Sequence, residues 1–289
     1  MDVMGRIERA LHAAVSRADV EGCPPRLAAA MRHSVFPRGA RIRPRLCLAV
    51  AAACGEDEPG VTDAAAAAIE LLHCASLVHD DLPCFDDADT RRGKASVHRV
   101  FGEPLAVLAG DALIVLAFQT LAHGAACMPL RLAPLLLTIA GSVGVPSGIV
   151  AGQAWECEDA VDLSQYQREK TGALFAAATV AGAAAAGAPA EPWRLLGVRL
   201  GEAFQVADDI LDATAKAEAV GKPVGQDLAL GRPSAVRELG LDGAIDRLTA
   251  LAADAMDAVP GCPGQMALRS HIMSECMRLL PAELARHAA

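Results

Sequence analysis

Alternating runs of β-branched residues are almost absent from this chain of 289 residues, and no Asn-Gly or Asp-Gly pair joins two such runs. Aromatic residues make up only 3% of it, whereas alanine dominates the 53% that is hydrophobic. Strands favour β-branched and aromatic side chains, and alanine is the strongest helix former. The composition therefore argues against a β-rich fold and predicts an all-α one.

An excess of basic residues is also lacking. Lys and Arg number 26 against 35 Asp and Glu, which gives a formal net charge of −9. A negative surface repels nucleic acids and anionic membranes, so neither is an expected partner. It repels anionic substrates too, so any phosphate chemistry in this chain must recruit cations.

Cysteine pairs with metal-ligand spacing are missing as well. The nine cysteines include no CxxC pair and are odd in number, which indicates neither a zinc site nor a disulfide framework. We interpret them as small buried hydrophobes in a reducing compartment. The N-terminal MDVMGRIERALHAAV lacks a long apolar segment, so we expect no signal peptide and a cytoplasmic protein.

No uninterrupted membrane span is expected. The chain has no charged residue between Arg131 and Glu156, a run longer than the ~20 residues that cross a bilayer. Proline and glycine interrupt it at positions 134, 141, 144, 146 and 148, and the run between Lys170 and Glu191 is mostly alanine and glycine. Buried helices of a large helical core explain both stretches better than transmembrane segments.

Helical stretches separated by Pro/Gly clusters fill the chain, without a fixed repeat or a dividing linker. One of them, Thr62–Asp81, opens on a Thr/Asp cap and is apolar nearly all round, as a buried helix is. We predict one domain, residues 1–289, with ten or more helices around a central cavity. The other predicted helices span residues 25–34, 44–54, 104–123, 132–144, 147–157, 163–187, 191–214, 242–258 and 264–279.

Residues 79–93, HDDLPCFDDADTRRG, concentrate negative charge and then reverse it. Like charges held together raise the free energy unless a cation or a proton compensates for them. A solvated acidic turn is the alternative, but such a turn needs neither the two arginines nor the apolar helix before it. The five aspartates are Asp80, Asp81, Asp86, Asp87 and Asp89, and Arg91 and Arg92 follow them.

A second acidic cluster occurs in residues 201–212, GEAFQVADDILD, within a helical pattern. Asp208 and Asp212 are four residues apart and share a helix face, with Asp209 beside them. Carboxylates without histidine or thiolate nearby suit Mg²⁺, which keeps waters and shares its coordination shell with substrate phosphates. Two such clusters, each ending an apolar helix, predict a metal-assisted phosphate site.

Basic residues accompany both clusters. Arginine holds phosphate oxygens with a planar fork, and lysine supplies a point charge. Each of them alone is compatible with a surface position, which is the preferred interpretation for Arg45, but together with Mg²⁺ they predict sites for two diphosphates. The set comprises Arg91, Arg92, Lys170 in REKTGALF, Lys222 in GKPVGQD, and Arg38, Arg41, Arg43 and Arg45 in FPRGARIRPR.

From about residue 36 to residue 235 the motifs resemble those of the trans-prenyltransferase family, the short-chain polyprenyl diphosphate synthases. DDLPCFD with the following RRG is similar to the family's first aspartate-rich motif, in the bacterial and plant form with two extra residues, and DDILD to its second. The family's GGKRxRP, GQ, KTG and FQ motifs appear as RGARIRP, Gly152-Gln153, Lys170–Gly172 and Phe204-Gln205.

The resemblance implies a homodimeric enzyme that condenses isopentenyl diphosphate with dimethylallyl, geranyl or farnesyl diphosphate. Two to three Mg²⁺ per active site assist ionisation of the allylic diphosphate, the isopentenyl double bond attacks the carbocation, and a proton is lost. The implied metal ligands are Asp80, Asp81, Asp86, Asp208, Asp209 and Asp212, and the implied catalytic residues are Asp80, Asp81, Asp86, Lys170 and Asp208.

The same resemblance implies the substrate contacts. His73 lies two helical turns before Asp80 on the same face, which fits a polar role, although a satisfied core histidine is the alternative. Ala40 stands where the family has lysine, and Arg38 or Arg41 is expected to compensate. The implied isopentenyl diphosphate ligands are Arg41, Arg43, His73 and Arg92; the implied allylic ligands are Arg91, Lys170, Thr171, Gln205, Lys222 and Arg232.

Ala75 and Ser76 lie five and four residues before Asp80, roughly 6–7.5 Å down the helix axis. Family members that stop at fifteen carbons have an aromatic residue there, so these small residues are expected to let the growing tail pass. The pattern resembles geranylgeranyl diphosphate synthases, whose C20 product typically serves carotenoid or chlorophyll-type pigments. The deeper floor stays open, with Leu71, Leu72 and Phe118 as candidates.

Other functions stay open on the sequence. A farnesyl diphosphate synthase would stop one step earlier. A terpene cyclase shares Mg²⁺ and the aspartate motif but steers cations with aromatic faces that this chain lacks. A metal phosphohydrolase, suggested by His79-Asp80, leaves the second cluster unexplained. A catalytically silent regulatory subunit typically loses an aspartate motif, and both motifs are intact here.

Overall fold

The computed structural model describes residues 2–36, 39–159, 165–166, 168–214 and 234–278. Within these ranges the chain forms twelve α-helices and one pair of two-residue strands, which confirms the predicted all-α class. The helices are α1 Val3–Ala18, α2 Pro25–Val35, α3 Ile42–Ala53, α4 Pro59–Asp80, α5 Val97–Phe101, α6 Glu103–Gly124, α7 Pro129–Val143, α8 Ile149–Ala154, α9 Ala173–Ala185, α10 Arg194–Thr214, α11 Ala235–Asp257 and α12 Gln265–Arg278.

The strands β1 Thr90–Arg91 and β2 Lys94–Ala95 form an antiparallel hairpin that the sequence did not predict. Short turns of other helix types complete the described elements: 3₁₀ turns at Trp155–Cys157 and Glu191–Trp193, and a π-helical segment at Arg168–Gly172. The helix predicted at 163–187 is therefore partly π-helical, and its first residues lie outside the described ranges.

The sequence did not predict helix α1. Arg6 of this helix explains why the predicted N-terminal cap of α4 also differs from the structure. The Arg6 guanidinium is buried between Asp63 and the carboxylate of Glu56, with Nη1 2.9 Å from Glu56 Oε2. Asp63 therefore serves as an ion-pair partner of α1, and its predicted capping role is wrong. Helix α4 begins earlier, with Pro59 at its first position, where the missing N–H of proline is harmless.

The described residues fall into two compact units. The first comprises Met1–Ala52, Glu56–Ile139 and Ala181–Ala188, and α4 is buried along most of its length there. Helix α6 lies antiparallel to α4 at very short range. A Cβ atom on Gly110 would lie 2.1 Å from His79 Nε2, and one on Gly124 would lie 2.2 Å from Ala64 Cβ. Because neither glycine has a side chain, α6 packs closely against α4 near both ends of that helix.

The second unit comprises Ala53–Gly55, Ala140–Val180 and Pro189–Ala289. Within it, α10 packs on α11 through an apolar cluster, and a Cβ on Gly197 of α10 would lie 2.4 Å from the Ala176 Cα of α9. This close approach brings α10 next to the KTG segment. The cluster consists of Ala203, Ala207, Ile210, Ala244, Leu248 and Leu251.

Helices α4 and α6 are long and apolar enough to cross a membrane by length and composition. The protein buries 78% of the tested α4 window and 44% of the α6 window. The uncharged stretch after Arg131 is divided as predicted, because α7 ends at Val143 and α8 begins at Ile149. All nine cysteines are free thiols, but Cys84, Cys127 and Cys157 are exposed, so the buried interpretation fails for these three.

Candidate active site

The five aspartates that follow α4 fall into two groups. Asp80, Asp81 and Asp86 surround the Arg91 guanidinium, whose Nη2 lies 2.5 Å from Asp81 Oδ1, 3.7 Å from Asp80 Oδ2 and 3.9 Å from Asp86 Oδ2. One cation therefore compensates three carboxylates. This cluster of ion pairs explains why an arginine follows the aspartates so closely in the sequence.

The second group, Asp87 and Asp89, forms ion pairs with Arg99 of α5. Arg99 places Nη2 3.2 Å from Asp87 Oδ1 and Nε 2.8 Å from Asp89 Oδ1. His98 Nε2 also lies 3.7 Å from Asp87 Oδ1. Because Arg99 holds these two carboxylates, they are drawn away from the Arg91 group.

Exposure separates the three carboxylates around Arg91. The Asp81 side chain is 3% exposed, whereas those of Asp80 and Asp86 are 13% and 37% exposed. Asp81 Oδ1 accepts hydrogen bonds from both Nε and Nη2 of Arg91. Burial raises the pKa of the Asp81 carboxyl, and its ion pair with Arg91 offsets part of that rise. Asp81 therefore orients Arg91, while Asp80 and Asp86 offer oxygens at the surface.

The hairpin directs two consecutive arginines to different partners. Its two-residue turn is Arg92-Gly93, with φ of 51° and 74°, the positive pair that a type I′ turn requires. Asn-Gly and Asp-Gly are the usual residues of such turns, which is why Arg-Gly gave no hairpin signal. A left-handed arginine carries a conformational cost, and such strain clusters at functional positions.

Arg92, Arg43 and His73 lie in one electropositive cluster. Arg43 Nη1 lies 3.3 Å from His73 Nε2, and Arg92 Nη2 lies 3.3 Å from Glu70 Oε1. Burial and the positive charges of Arg43 and Arg92 hold the pKa of His73 well below its usual value. Burial also lowers the pKa of Arg43 to about 10. His73 is therefore neutral at physiological pH, beside guanidiniums whose field favours an anion.

We expect His73 to make stability fall with acidity. Because its folded pKa lies below the unfolded value of about 6.5, the unfolded chain alone binds this proton between the two values. The free energy of unfolding should then drop as pH falls below about 6.5, by at most about 1.4 kcal/mol per pH unit. Urea unfolding of wild type and His73→Gln across pH 5–7 checks this, and parallel curves would contradict it.

Arg41 has all of its observed partners inside the protein. Its guanidinium is buried, with Nη1 2.6 Å from Glu70 Oε1, Nε 3.0 Å from Glu8 Oε1, and Nη2 donating to the Val35 carbonyl at 2.7 Å. All three guanidinium nitrogens bond within the protein. Arg41 thus forms internal ion pairs that join the segment before α3 to α1, α2 and α4. These contacts favour a structural role for Arg41; its expected roles as an isopentenyl diphosphate ligand and as a substitute for lysine at Ala40 stay predictions.

In the second aspartate cluster, too, one carboxylate is buried and the other two are partly exposed. Asp209 is 4% exposed, and its carboxylate accepts the Ala235 backbone N–H at 2.7 Å and the Gln205 amide at 3.0 Å. It therefore stabilises the start of α11, where backbone N–H groups lack helical partners. Asp208 and Asp212 are half-buried, one turn apart on α10.

The KTG segment lies beside this cluster. Thr171 Oγ1 donates to Gln205 Oε1 at 3.3 Å, so a chain of hydrogen bonds runs from Thr171 through Gln205 to Asp209. Lys170 Nζ lies 2.7 Å from Glu156 Oε1. Glu156 also accepts from Tyr166 at 2.5 Å and from Gln153 at 2.6 Å. The sequence did not single out Glu156, although it stands three residues after the Gln of the GQ motif.

The predicted ligands Lys222 and Arg232 lie outside the described residues, as does Arg38. In the part of the chain that the structure describes, no group of three or more His, Cys, Asp or Glu side chains forms a ready-made metal cage. The surface carboxylates of each cluster are nevertheless oxygen donors of the kind Mg²⁺ takes, one or two at a time, with phosphates and waters. The donor sets fit a magnesium ion that arrives with a diphosphate.

Comparison with known proteins decides the family. The family model for polyprenyl synthetase matches residues 24–255. The chain belongs to the polyprenyl synthetase family. Polyprenyl synthetases similar to it include a geranylgeranyl diphosphate synthase of Cereibacter sphaeroides, 54% identical over 280 residues and covering 97% of each chain. One of Rhodobacter capsulatus is 52% identical over 288 residues, covering 99% of this chain and 100% of the relative.

A solved structure agrees with this family assignment. The geranyltransferase of Helicobacter pylori, determined with magnesium and isoprenyl diphosphate, superimposes with a TM-score of 0.80. It is 27% identical, and the match covers 96% of this polyprenyl synthetase and 98% of that chain. The predicted family and its class of activity, prenyl transfer, are confirmed.

Proposed function

We propose that this polyprenyl synthetase is a magnesium-dependent geranylgeranyl diphosphate synthase. It condenses isopentenyl diphosphate with dimethylallyl, geranyl or farnesyl diphosphate and stops at twenty carbons. One observation carries the proposal: a single hairpin holds Arg91 among three aspartates and Arg92 in a separate cluster with Arg43 and His73. Two neighbouring anion sites of different kinds are what a two-diphosphate reaction requires.

The allylic diphosphate is proposed to bind at the aspartate clusters. Bound Mg²⁺, two to three ions per site, would neutralise the diphosphate and make it a better leaving group. Asp80 and Asp86 supply ligands from the first cluster, and Asp208 and Asp212 from the second. Asp81 instead aligns Arg91, which contacts the same diphosphate, and Asp209 keeps α10 and α11 in register.

Lys170, Thr171 and Gln205 are proposed to face the reacting end of the allylic substrate. Lys170 exchanges its Glu156 partner for the diphosphate, while Gln205 orients the Thr171 hydroxyl toward the developing positive charge. By family resemblance, Lys222 and Arg232 add further diphosphate contacts.

Isopentenyl diphosphate is proposed to bind at Arg43, His73 and Arg92. The two guanidiniums pair with its phosphates, and neutral His73 donates or accepts a hydrogen bond without adding charge. Its double bond then attacks the allylic carbocation, and the departing diphosphate takes the released proton. Ala75 and Ser76 on α4 let the lengthening tail pass.

We also propose that the enzyme is a cytoplasmic homodimer. Helix α6 exposes apolar side chains, with Val107, Leu108 and Val115 between 41% and 56% exposed, although the helix packs closely on α4. Large exposed apolar patches mark interaction surfaces. Light scattering after size exclusion should give twice the chain mass, and a monomer mass at micromolar concentration would refute the dimer.

The function is tested by product analysis. Labelled isopentenyl diphosphate is incubated with each of the three allylic diphosphates, with Mg²⁺ and with a chelator. We expect metal-dependent extension of all three to a C20 diphosphate. Accumulation of C15 would instead show a farnesyl diphosphate synthase, binding without extension a regulatory subunit, and release of cyclic hydrocarbon a terpene cyclase.

Ala40 gives a separate prediction, because the neighbouring Arg41 guanidinium is bonded to Glu8, Glu70 and the Val35 carbonyl. Ala40 is exposed, so Ala40→Lys adds a cation without displacing packed atoms. The KM for isopentenyl diphosphate should stay the same or fall by up to about a hundredfold, since a hydrogen bond to a charged group contributes about 1.5–3 kcal/mol and about 1.4 kcal/mol is a factor of ten. Ala40→Met is the uncharged control of similar length. A severe loss of turnover in Ala40→Lys would refute our placement of this loop.

A further inference from the structure

We infer that Glu70 is a positioning residue for isopentenyl diphosphate: its buried carboxylate, together with Gly39, fixes the guanidinium of Arg92 for binding that substrate. The inference rests on the proposed function, since it names what orients one of the proposed ligands. Glu70 did not stand out in the sequence, because a glutamate within an apolar helix carries no motif of its own, and Gly39 entered only as part of RGARIRP.

The Glu70 carboxylate is a buried charge placed between two arginines. Its side chain is 1% exposed, and Oε1 lies 2.6 Å from Arg41 Nη1 and 3.3 Å from Arg92 Nη2. A buried carboxylate is tolerated only where cations and hydrogen bonds compensate for the lost hydration. Glu70 therefore holds both guanidiniums close to the middle of α4.

The two arginines depend on Glu70 to different degrees. Arg41 has a second carboxylate, because its Nε lies 3.0 Å from Glu8 Oε1. For Arg92, the described residues supply one carboxylate within ion-pair distance, that of Glu70. Removing the Glu70 charge thus leaves Arg41 paired but releases Arg92.

Gly39 restrains the same guanidinium from another direction. A Cβ built on Gly39 would lie 2.7 Å from Arg92 Cζ and 2.9 Å from Arg92 Nε, so the glycine backbone lies directly against the guanidinium. Cys74 Sγ approaches Arg92 Nη1 at 3.8 Å. Glu70, Gly39 and Cys74 together leave Arg92 little freedom.

Restraining the Arg92 guanidinium should affect the affinity for the diphosphate and not the rate of the chemical step. A guanidinium that is already aligned loses little conformational entropy when a diphosphate binds, whereas a mobile arginine loses more. A residue that only aligns Arg92 should change the affinity for isopentenyl diphosphate and leave the allylic substrate and kcat at saturation unchanged.

The first test compares Glu70→Gln with Glu8→Gln. Each variant removes one carboxylate from buried Arg41, but only Glu70→Gln also releases Arg92. For Glu70→Gln we expect the KM for isopentenyl diphosphate to rise roughly tenfold, the size of one lost charge-assisted contact, while kcat and the farnesyl diphosphate KM stay within about twofold. For Glu8→Gln we expect the wild-type KM and a lower Tm, because Arg41 loses a partner.

Gly39→Ala is the second variant, and it leaves the Glu70–Arg41 pair intact. The added methyl group meets only side-chain atoms at the guanidinium end of Arg92 and no backbone, so the guanidinium is displaced while the main chain keeps its place. Tm should therefore match wild type, while the KM for isopentenyl diphosphate rises roughly tenfold. This variant keeps the inference testable even if Glu70→Gln folds poorly.

Calorimetric titration with isopentenyl diphosphate alone, without metal or allylic substrate, gives a readout independent of catalysis. Weaker binding in Glu70→Gln and Gly39→Ala, and wild-type binding in Glu8→Gln, is the expected result. Wild-type affinity in both positioning variants overturns the inference, as does equal weakening in Glu8→Gln. A wild-type protein that binds isopentenyl diphosphate but never extends it refutes the proposed function and leaves these comparisons valid, whereas absent binding refutes both.

Discussion

Asp80→Asn and Asp86→Asn should each reduce chain extension by about a thousandfold, while Asp87→Asn in the same loop should reduce it by less than about threefold. A catalytic metal contributes several kcal/mol of transition-state stabilisation, and about 1.4 kcal/mol corresponds to a factor of ten in rate. Loss of a metal ligand is therefore a large effect. The structure predicts which aspartates show it, because Asp80 and Asp86 lie around Arg91 whereas Asp87 lies against Arg99.

Asp87→Asn is a matched control for this experiment. It removes one negative charge within one residue of Asp86, yet the group it disturbs is the Arg99 pair of α5. Turnover of farnesyl diphosphate at saturating Mg²⁺ gives the comparison, with circular dichroism as a check on folding. Equal losses in all three variants would indicate a general effect of loop charge and would refute the proposed division of the aspartates.

Ser76→Phe should change the main product from C20 to C15. Ser76 is half-buried on α4, and its hydroxyl donates to the His73 carbonyl one turn earlier at 2.9 Å. A phenyl ring one turn before Asp80 would block a tail that extends along α4 from the aspartate motif. Chromatography of the dephosphorylated products from farnesyl and geranyl diphosphate measures the shift.

Leu77→Phe is the control for added volume. Leu77 is the next residue on α4 and lines a cleft together with Arg92 and Val97, to which neither Ser76 nor Ala75 contributes. It should leave the product at C20. Ala75→Phe is expected to act like Ser76→Phe, although Ala75 is 1% exposed and the larger ring costs about 1–3 kcal/mol wherever the core must yield. An unchanged C20 product in both Ser76→Phe and Ala75→Phe would refute the assigned chain-length positions.

The helices were predictable because alanine content and Pro/Gly clusters are local properties. The α2 helix and the break between α7 and α8 follow from the sequence almost to the residue. The main part of α11 follows as well: the helix predicted at 242–258 begins just after Gly240, whose φ of 74° is non-helical and kinks α11. The helical stretch before that kink was not predicted, and it begins where Asp209 of α10 accepts the Ala235 backbone N–H.

The candidate site was predictable as a set of residue types, but the partners within it were not. Sequence spacing presents Asp80 and Asp81 as equivalent, whereas only folding buries Asp81 against Arg91. Arg41 and Arg43 likewise belong to one motif, and the left-handed backbone at Arg41 sends its side chain to Glu8 and Glu70. Such distinctions depend on contacts between residues far apart in the chain.

The central claim is that both aspartate clusters ligate divalent ions around one allylic diphosphate. The most direct measurement is a crystal structure with Mn²⁺ in place of Mg²⁺ and a non-ionisable allylic diphosphate analogue, with metals located by anomalous scattering. We predict ions coordinated directly by carboxylate oxygens of Asp80 or Asp86 and of Asp208 or Asp212, all contacting the same diphosphate. Metal at one cluster alone, or a diphosphate bound away from both, would contradict the account.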